Sequence, residues 1–271
     1  MQDDRHASAS GVDAASSPWT HYLVLDFEAT CERNDPTQKQ WSELIEFPCV
    51  LLDANDLRTV GEFSTFVRPT QRQQLTAFCT ELTSITQDQV DAAEPLEIVL
   101  KRFSTWLPEM LGTDDLSRVL PITCGEPDLQ YMLPNECKRK GLAVPSPLKY
   151  YCNIKKPFSG LLACKAGGMT NMLRQLNLRL EGVHHRGIDD ARNIARLVVK
   201  LVQLGAEIDV TGGNAPSRPI GPCGESASAP HICKQSSAAA AAECVAEARP
   251  AGGGRRAHGT SGRSRVSGEE V

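Results

Sequence analysis

The sequence predicts a mixed α/β fold, a β-sheet flanked by α-helices with an antiparallel hairpin on one side of the sheet. Three observations carry that expectation. The apolar run at 22–25 reads as a buried strand that ends at a pair of acids. Two β-rich runs, 44–52 and 59–67, flank the turn formers Asp53-Ala54-Asn55-Asp56 and read as a hairpin. Beyond residue 95 the apolar spacing changes to a helical period.

In chain order, HYLVLDFEAT at 21–30 sets its strand over the apolar run and leaves Asp26 and Glu28 at its end. Arg68-Pro69 closes the second hairpin strand. Leu96, Val99, Leu100, Phe103 and Leu107 fall at i, i+3, i+4, i+7 and i+11, which gives a helix one apolar stripe. Residues 118–124 form a short apolar strand, its pairing limited by Pro121, which brings no N–H. Residues 128–140 read as a helix stopped by Gly141, and 169–176 as another short helix. The last helix, 189–204, carries Ile194, Leu197, Val198, Leu201 and Val202 on one side and stops at Gly205. The resulting order is βββαβααα, a mixed α/β pattern.

Composition confines this fold to part of the 271 residues. All aromatic side chains lie between Trp19 and Phe158, while ten of the 21 glycines follow residue 211. A tail so poor in large apolar groups cannot offset the backbone entropy lost on ordering. One domain is therefore expected at 20–207, between disordered tails at 1–19 and 208–271. No apolar run reaches the roughly eighteen residues of a membrane span, and 1–17 lacks the apolar stretch of a secretory signal. The 10 cysteines never form a Cys-x-x-Cys motif, so an intracellular chain with reduced thiols is expected, in cytoplasm or nucleus. Net charge is −4, yet residues 138–179 carry Lys138, Arg139, Lys140, Lys149, Lys155, Lys156, Lys165, Arg174 and Arg179 with no acid among them. Such a strip suits either a polyanion such as nucleic acid or a plain solvated face.

Three features could carry chemistry. Asp26 and Glu28, two apart on a strand, leave by the same face. Adjacent carboxylates at the end of an apolar run are stabilised by a shared divalent cation, and hard oxygens suit Mg²⁺ or Mn²⁺. Alone, Asp-x-Glu is a weak signal that an exposed strand end explains as well. Asp128 follows a strand and opens a helix, a position that helix capping accounts for equally. His184-His185-Arg186-Gly187-Ile188-Asp189-Asp190 leads into the last helix, where a histidine beside a helix-borne acid makes a base-and-ligand pair or a surface turn with a capping acid.

All three occur in order, each at the end of a core element, and together they resemble the DEDDh exonucleases of the RNase H-like (DnaQ-like) superfamily. Four longer blocks resemble its Eri-type 3′–5′ exoribonucleases: DFEATCE at 26–32, ELIEFPCVLL at 43–52, FCTELTSITQDQVDAA at 78–93 and HHRGIDDARNIARL at 184–197. The likeness covers about residues 20–205. It implies an RNase H-like mixed sheet and a 3′–5′ exonuclease that hydrolyses RNA phosphodiesters with two Mg²⁺ ions, for which Mn²⁺ can substitute. Residue by residue, it makes Asp26, Glu28, Asp128 and Asp190 the metal-binding acids, with Glu28 and His185 catalytic and His185 the general base. The five-residue step from His185 selects Asp190 over Asp189. Phe27, Glu28, Ala29, Thr30 and His185 would form the terminal-nucleotide pocket, and Lys138, Arg139, Lys140, Lys155 and Lys156 the RNA-binding part of the basic strip.

Asn153-Ile154-Lys155-Lys156 resembles the family's Asn-Ile-basic block, but Cys124-Gly125-Glu126-Pro127 stands where the family usually has Asp-Gly-x-Trp. Losing that aromatic removes a base-stacking surface worth about 1–3 kcal/mol, so weaker nucleotide binding is expected. The resemblance further implies a single-stranded or 3′-overhanging RNA partner and no small-molecule cofactor beyond metal. No membrane partner is expected, the oligomeric state is open with a monomer favoured, and no SAP-like helical module or zinc-ligand cluster of the kind seen in some relatives is read beside the domain. The alternatives are an RNA-binding module of the same fold without catalysis, or an exonuclease directed at DNA.

Overall fold

The structure is a computed structural model that describes residues 17–215. The expectation for the tails falls mostly outside those residues. The elements in chain order are strands β1 (His21–Leu25) and β2 (Glu28–Ala29), helix α1 (Gln38–Trp41), strands β3 (Leu44–Asp53) and β4 (Thr59–Arg68), and helices α2 (Ala77–Thr83) and α3 (Gln87–Asp91). Strand β5 (Glu94–Pro95), helix α4 (Leu96–Leu111), strand β6 (Val119–Thr123), helix α5 (Leu133–Lys140) and strand β7 (Tyr150–Asn153) follow. Helices α6 (Lys155–Leu162), α7 (Met169–Gln175) and α8 (Gly187–Gln203) and strand β8 (Gly212–Gly213) complete the fold.

The sheet runs β5-β4-β3-β1-β6-β7-β8, with β2 paired to β3. β3 pairs antiparallel with both β1 and β4, as the hairpin reading requires, whereas β6 lies parallel to β1 and β7. One face buries Tyr22, Val24, Ile122 and Cys152 against Ile194, Val198 and Leu201 of α8. The other buries Leu23, Leu25, Phe47 and Leu51 against the α4 stripe of Val99, Phe103 and Leu107. Strand side chains alternate between these two cores, which is why β1 and β3 read as nearly continuous apolar runs. Among the described residues, no helix is long and apolar enough to cross a membrane.

Several expectations change. Residues 128–140 are not one regular helix: Asp128–Met132 forms a π-helical turn ahead of α5. Pro134 has no N–H to offer the Gln130 carbonyl, and the Leu133 N–H reaches back five residues to Asp128 instead. The ladder of β6 to β7 starts only at Ile122, after Pro121, while its ladder to β1 begins at Val119. Helices α1, α2, α3 and α6 and strands β2, β5, β7 and β8 are additions to the expected order. Described residues outside 20–207 also make contacts. Trp19 stacks on Tyr150 at 6.0 Å and donates to Asp209 at 3.2 Å, and β8 pairs with β7.

A buried polar knot ties β3 to α5. Lys140 Nζ lies 2.7 Å from Glu43 Oε1 and 2.6 Å from Glu136 Oε1. Glu43 also accepts the backbone N–H groups of Thr70, Gln71 and Arg72 at 2.7–2.9 Å, and Glu136 that of Leu44 at 2.6 Å. Burial pushes both carboxyls up, but for Glu43 the Lys140 ammonium and the Arg72 and Thr70 N–H groups win and hold it below the ordinary 4.5. For Glu136 burial wins, and its carboxyl stays above 4.5 despite Lys140. A depressed carboxyl stabilises the fold above pH 4.5 and loses that contribution as pH falls through its folded value, while a raised one acts in the opposite sense. Glu43→Gln is thus expected to cost on the order of 3 kcal/mol at pH 7, shrinking as pH drops below 4.5. Glu136→Gln should cost distinctly less at pH 7. Urea unfolding of both variants at pH 7 and pH 4 checks the ranking; equal losses would refute it.

Candidate active site

Strand β1 stops at Leu25, and the chain breaks from the sheet at Asp26 and Phe27 before β2 rejoins β3 through Glu28 opposite Glu46. Asp26 and Glu28 are therefore not on one continuous strand, yet their carboxylates converge. With Asp190 of α8 they offer oxygens that all lie within 4.8 Å of one another. Asp128 joins from the π-helical turn: its Oδ1 accepts the Phe27 N–H at 2.8 Å, and its charge acts directly on Asp26. It is a first-turn acid, not the helix cap, and is 5% exposed.

Burial is the largest effect on every one of these groups. It pushes Asp26 well above the usual carboxylate range, with the charges of Asp128 and Asp190 adding to it. Glu28 is pushed up to about 10 by burial and then by Asp26. Asp128 rises to about 6, held back by the Phe27 N–H and by Lys155, and Asp190 is raised as well. Among the described residues, no hydrogen-bond donor reaches the Asp26 or Glu28 carboxylate. Hard, acceptor-only oxygens crowded together without donors fit a divalent cation of the Mg²⁺ or Mn²⁺ type.

The His184–Asp190 segment is shaped by its backbone. His185 adopts φ +66°, and its N–H donates to Asp190 Oδ2 at 2.8 Å. The His184 ring reaches the same carboxylate, Nδ1 to Oδ2 at 3.0 Å, and stacks on the His185 ring at 3.9 Å. Burial, then the neighbouring His184, lowers His185 below 6.5, leaving a neutral imidazole at pH 7. Asp189 turns away to the Val183 N–H at 2.9 Å and to Arg192 at 3.3 Å. The two tandem acids thus do different work, with Asp190 at the cluster and Asp189 bracing the loop.

What holds α8 in place is Glu46, which sequence reasoning missed. Its buried carboxylate accepts the N–H groups of Gly187 at 3.0 Å and Ile188 at 3.4 Å, and Arg186 Nε lies 3.4 Å away. An acid inside the apolar run ELIEFPCVLL was the signal, since a buried charge demands partners. Gly187 is the second requirement. A Cβ there would meet the Asp26 carbonyl oxygen at 2.8 Å and Pro48 at 3.0 Å.

Other expected site residues are placed differently. Phe27 is 5% exposed and its ring packs on Phe47 at 4.6 Å, within the core. Thr30 is buried too, its hydroxyl accepting the Glu43 N–H at 2.9 Å. Only Glu28 and Ala29 of that segment remain half-exposed toward the cluster. The basic strip is not one surface. Lys140 is enclosed by Glu43 and Glu136, and Arg139 donates to the carbonyls of Gln40 and Ser42. Lys155 acts on Asp26 and Asp128, whereas Lys138 and Lys156 are exposed.

The sequence model of the RNase_T family, described as Exonuclease, matches residues 23–198. ERI1 exoribonuclease 2 of Danio rerio is 36% identical over 223 residues, which cover 78% of this chain but only 40% of that protein. The nuclease domain of 3′hExo, a DEDDh family member solved with bound rAMP, matches with TM-score 0.69 and 35% identity, over 74% of this chain and 100% of its own. A 3′-exonuclease solved in 3′-end-specific recognition of a histone mRNA stem-loop matches with TM-score 0.70 and 34% identity, over 75% of this chain and 70% of its own.

The contact at Gly187 makes a direct prediction. Gly187→Ala is expected to destabilise the fold by about 1–3 kcal/mol, because the added methyl meets backbone that cannot yield. Gly160→Ala, in α6 with nothing within 4 Å of the new Cβ, should be neutral or stabilising. Thermal melts of the two variants give the comparison, and a Gly187→Ala protein as stable as the parent contradicts it.

Proposed function

We propose, from the premise that this chain belongs to the RNase_T exonuclease family, that it removes nucleotides from the 3′ ends of RNA by hydrolysis. The observation that carries this reading is the meeting of Asp26, Glu28 and Asp190 within 4.8 Å beside the His185 loop. Asp26, Glu28, Asp128 and Asp190 would hold two Mg²⁺ ions, with Mn²⁺ able to substitute, and the bound pair supplies charge stabilisation at the phosphate and a more acidic water. The rest of the chemistry belongs to the chain. His185, neutral at pH 7, can take a proton from an attacking water. Its φ of +66° lets the backbone N–H lock onto Asp190 while the ring remains available to the reacting groups. The Phe27 N–H fixes Asp128, and Glu46 with Gly187 fixes the approach of α8 to Asp26. Glu28 and Ala29 form the lip on which a terminal nucleotide is seated, and Lys155 offers a cation for its phosphate.

The substrate we favour is single-stranded or 3′-overhanging RNA, with a processing role such as trimming structured RNA ends, in keeping with the histone mRNA stem-loop named for one structural relative and the rAMP named for the other. An intracellular location, in cytoplasm or nucleus, belongs to the same proposal. It is supported by free cysteines, most of which pack as small apolar side chains.

Purified protein incubated with 3′- and 5′-labelled RNA should shorten it from the 3′ end in Mg²⁺ or Mn²⁺ and stop when the metal is chelated. Asp26→Asn is expected to lower turnover more than about a hundredfold, and His185→Ala by about a hundredfold to ten-thousandfold. A matched DNA oligonucleotide should be the poorer substrate. RNA left intact, or cleavage indifferent to Asp26→Asn, would sink the proposal, and a preference for DNA would redirect it.

A further inference from the structure

Three cations lie over aromatic rings on segments tied to the elements that carry the acid cluster. Arg33 sits 4.6 Å from the Phe78 ring centroid, Lys39 4.6 Å from that of Tyr131, and Arg72 3.9 Å from that of Trp41. All three cations are exposed over half-buried rings. Each pair therefore turns a positive charge to solvent, a guanidinium plane at Arg33 and Arg72 and an ammonium at Lys39. Arg33 also lies 3.8 Å from Glu81, but both side chains are well exposed and such a pair is worth little in water.

The pairs are anchored to elements that carry the site. The Cys31 carbonyl, two residues before Arg33 and two after Ala29, accepts the Thr76 hydroxyl at 2.7 Å. Buried Glu43 binds the N–H groups of the loop at 70–72, which bears Arg72. Helix α1, which bears Lys39 and Trp41, is held to α5 by Asn135 on the Lys39 carbonyl at 3.1 Å and by Arg139 on Gln40 and Ser42. Tyr131 lies in the π-helical turn that Asp128 opens. Trp41 is itself fixed by donating to Asp35 at 3.0 Å. Buried charges thus spend their hydrogen bonds on holding a surface.

We infer that this surface is a subsite for single-stranded RNA, receiving the nucleotides upstream of a 3′ end that lies at the acid cluster. Cationic groups stacked on rings suit an unpaired strand, because bases stack on guanidinium planes and aromatic faces while the same charges meet the phosphates. The inference rests on the 3′-end reading above and extends it from the terminal residue to the strand behind it.

The test combines Arg33→Ala, Lys39→Ala and Arg72→Ala and measures binding by fluorescence anisotropy, with metal chelated so that nothing turns over. Probes are a single-stranded RNA of about twelve nucleotides and a trinucleotide. The triple variant should weaken binding of the longer RNA by about fivefold or more beyond any change for the trinucleotide. The salt dependence of its log Kd should fall by about two units for three lost phosphate contacts. Equal changes for both lengths, or none for the longer RNA, overturn the inference. If the triple variant fails to fold, Lys39→Glu alone reads the same length dependence. Should the parent protein bind RNA in this length-dependent way yet leave it uncut, the proposed function fails and the subsite stands.

Discussion

The site depends on one contact, the docking of the α8 N-terminus against the end of β1. Asp26 and Asp190 are far apart in sequence, and their carboxylates can share a cation only if the helix meets the strand end closely. Gly187 permits that approach, since a Cβ would collide with the Asp26 carbonyl at 2.8 Å. Glu46 enforces it, because its carboxylate accepts the first N–H groups of α8 and lies 3.4 Å from Arg186. An acid at a helix N-terminus is also favoured by the helix dipole. The same contact sets the His184–His185 turn, which the carboxylate of Asp190 anchors through the His184 ring and the His185 N–H. The positions of the α8 N-terminus, the Asp190 carboxylate and the His184–His185 turn are therefore one variable.

The fold was legible in the sequence wherever one periodicity ran long enough. The α4 stripe, the hairpin strands and the apolar side of α8 each span many residues, and the structure has them at nearly the expected limits. Shorter elements were missed for want of length. Helix α3 has five residues, too few for a stripe, although its Thr86 and Gln89 form a capping box that marks its start. Strand β7, Tyr150–Asn153, is shorter still and followed at once by α6, so no alternation shows.

The candidate site was legible in its acids and less so in their surroundings. Asp26, Glu28, Asp128 and Asp190 were singled out by their order together with the family resemblance, and they come together at the end of β1. The burial of Phe27 and Thr30 was not legible: the backbone leaves the sheet at Asp26 and rejoins it at Glu28, which sends the neighbouring side chains inward to Phe47 and Glu43. Charge counted along the chain misled for Arg139 and Lys140. On a helix only some residues face solvent, and here two of three consecutive cations turn toward buried carbonyls and carboxylates.

The buried carboxylates divide according to their supply of donors. Glu43 accepts backbone N–H groups and an ammonium, and its carboxyl is held below the ordinary value. Asp128 accepts one strong N–H bond and rises only to about 6. Glu28, with no donor and three or more acids around it, is pushed to about 10. Burial is common to all of them, so the gradient follows from what remains to satisfy the oxygens. Where the fold delivers N–H groups, an acid is a structural tie that joins distant segments. Where it withholds them, as at Asp26 and Glu28, only a proton or a cation can complete the site. The withheld donors set Asp26 and Glu28 apart from the other enclosed carboxylates of this protein, Asp128 and Asp190 beside them included.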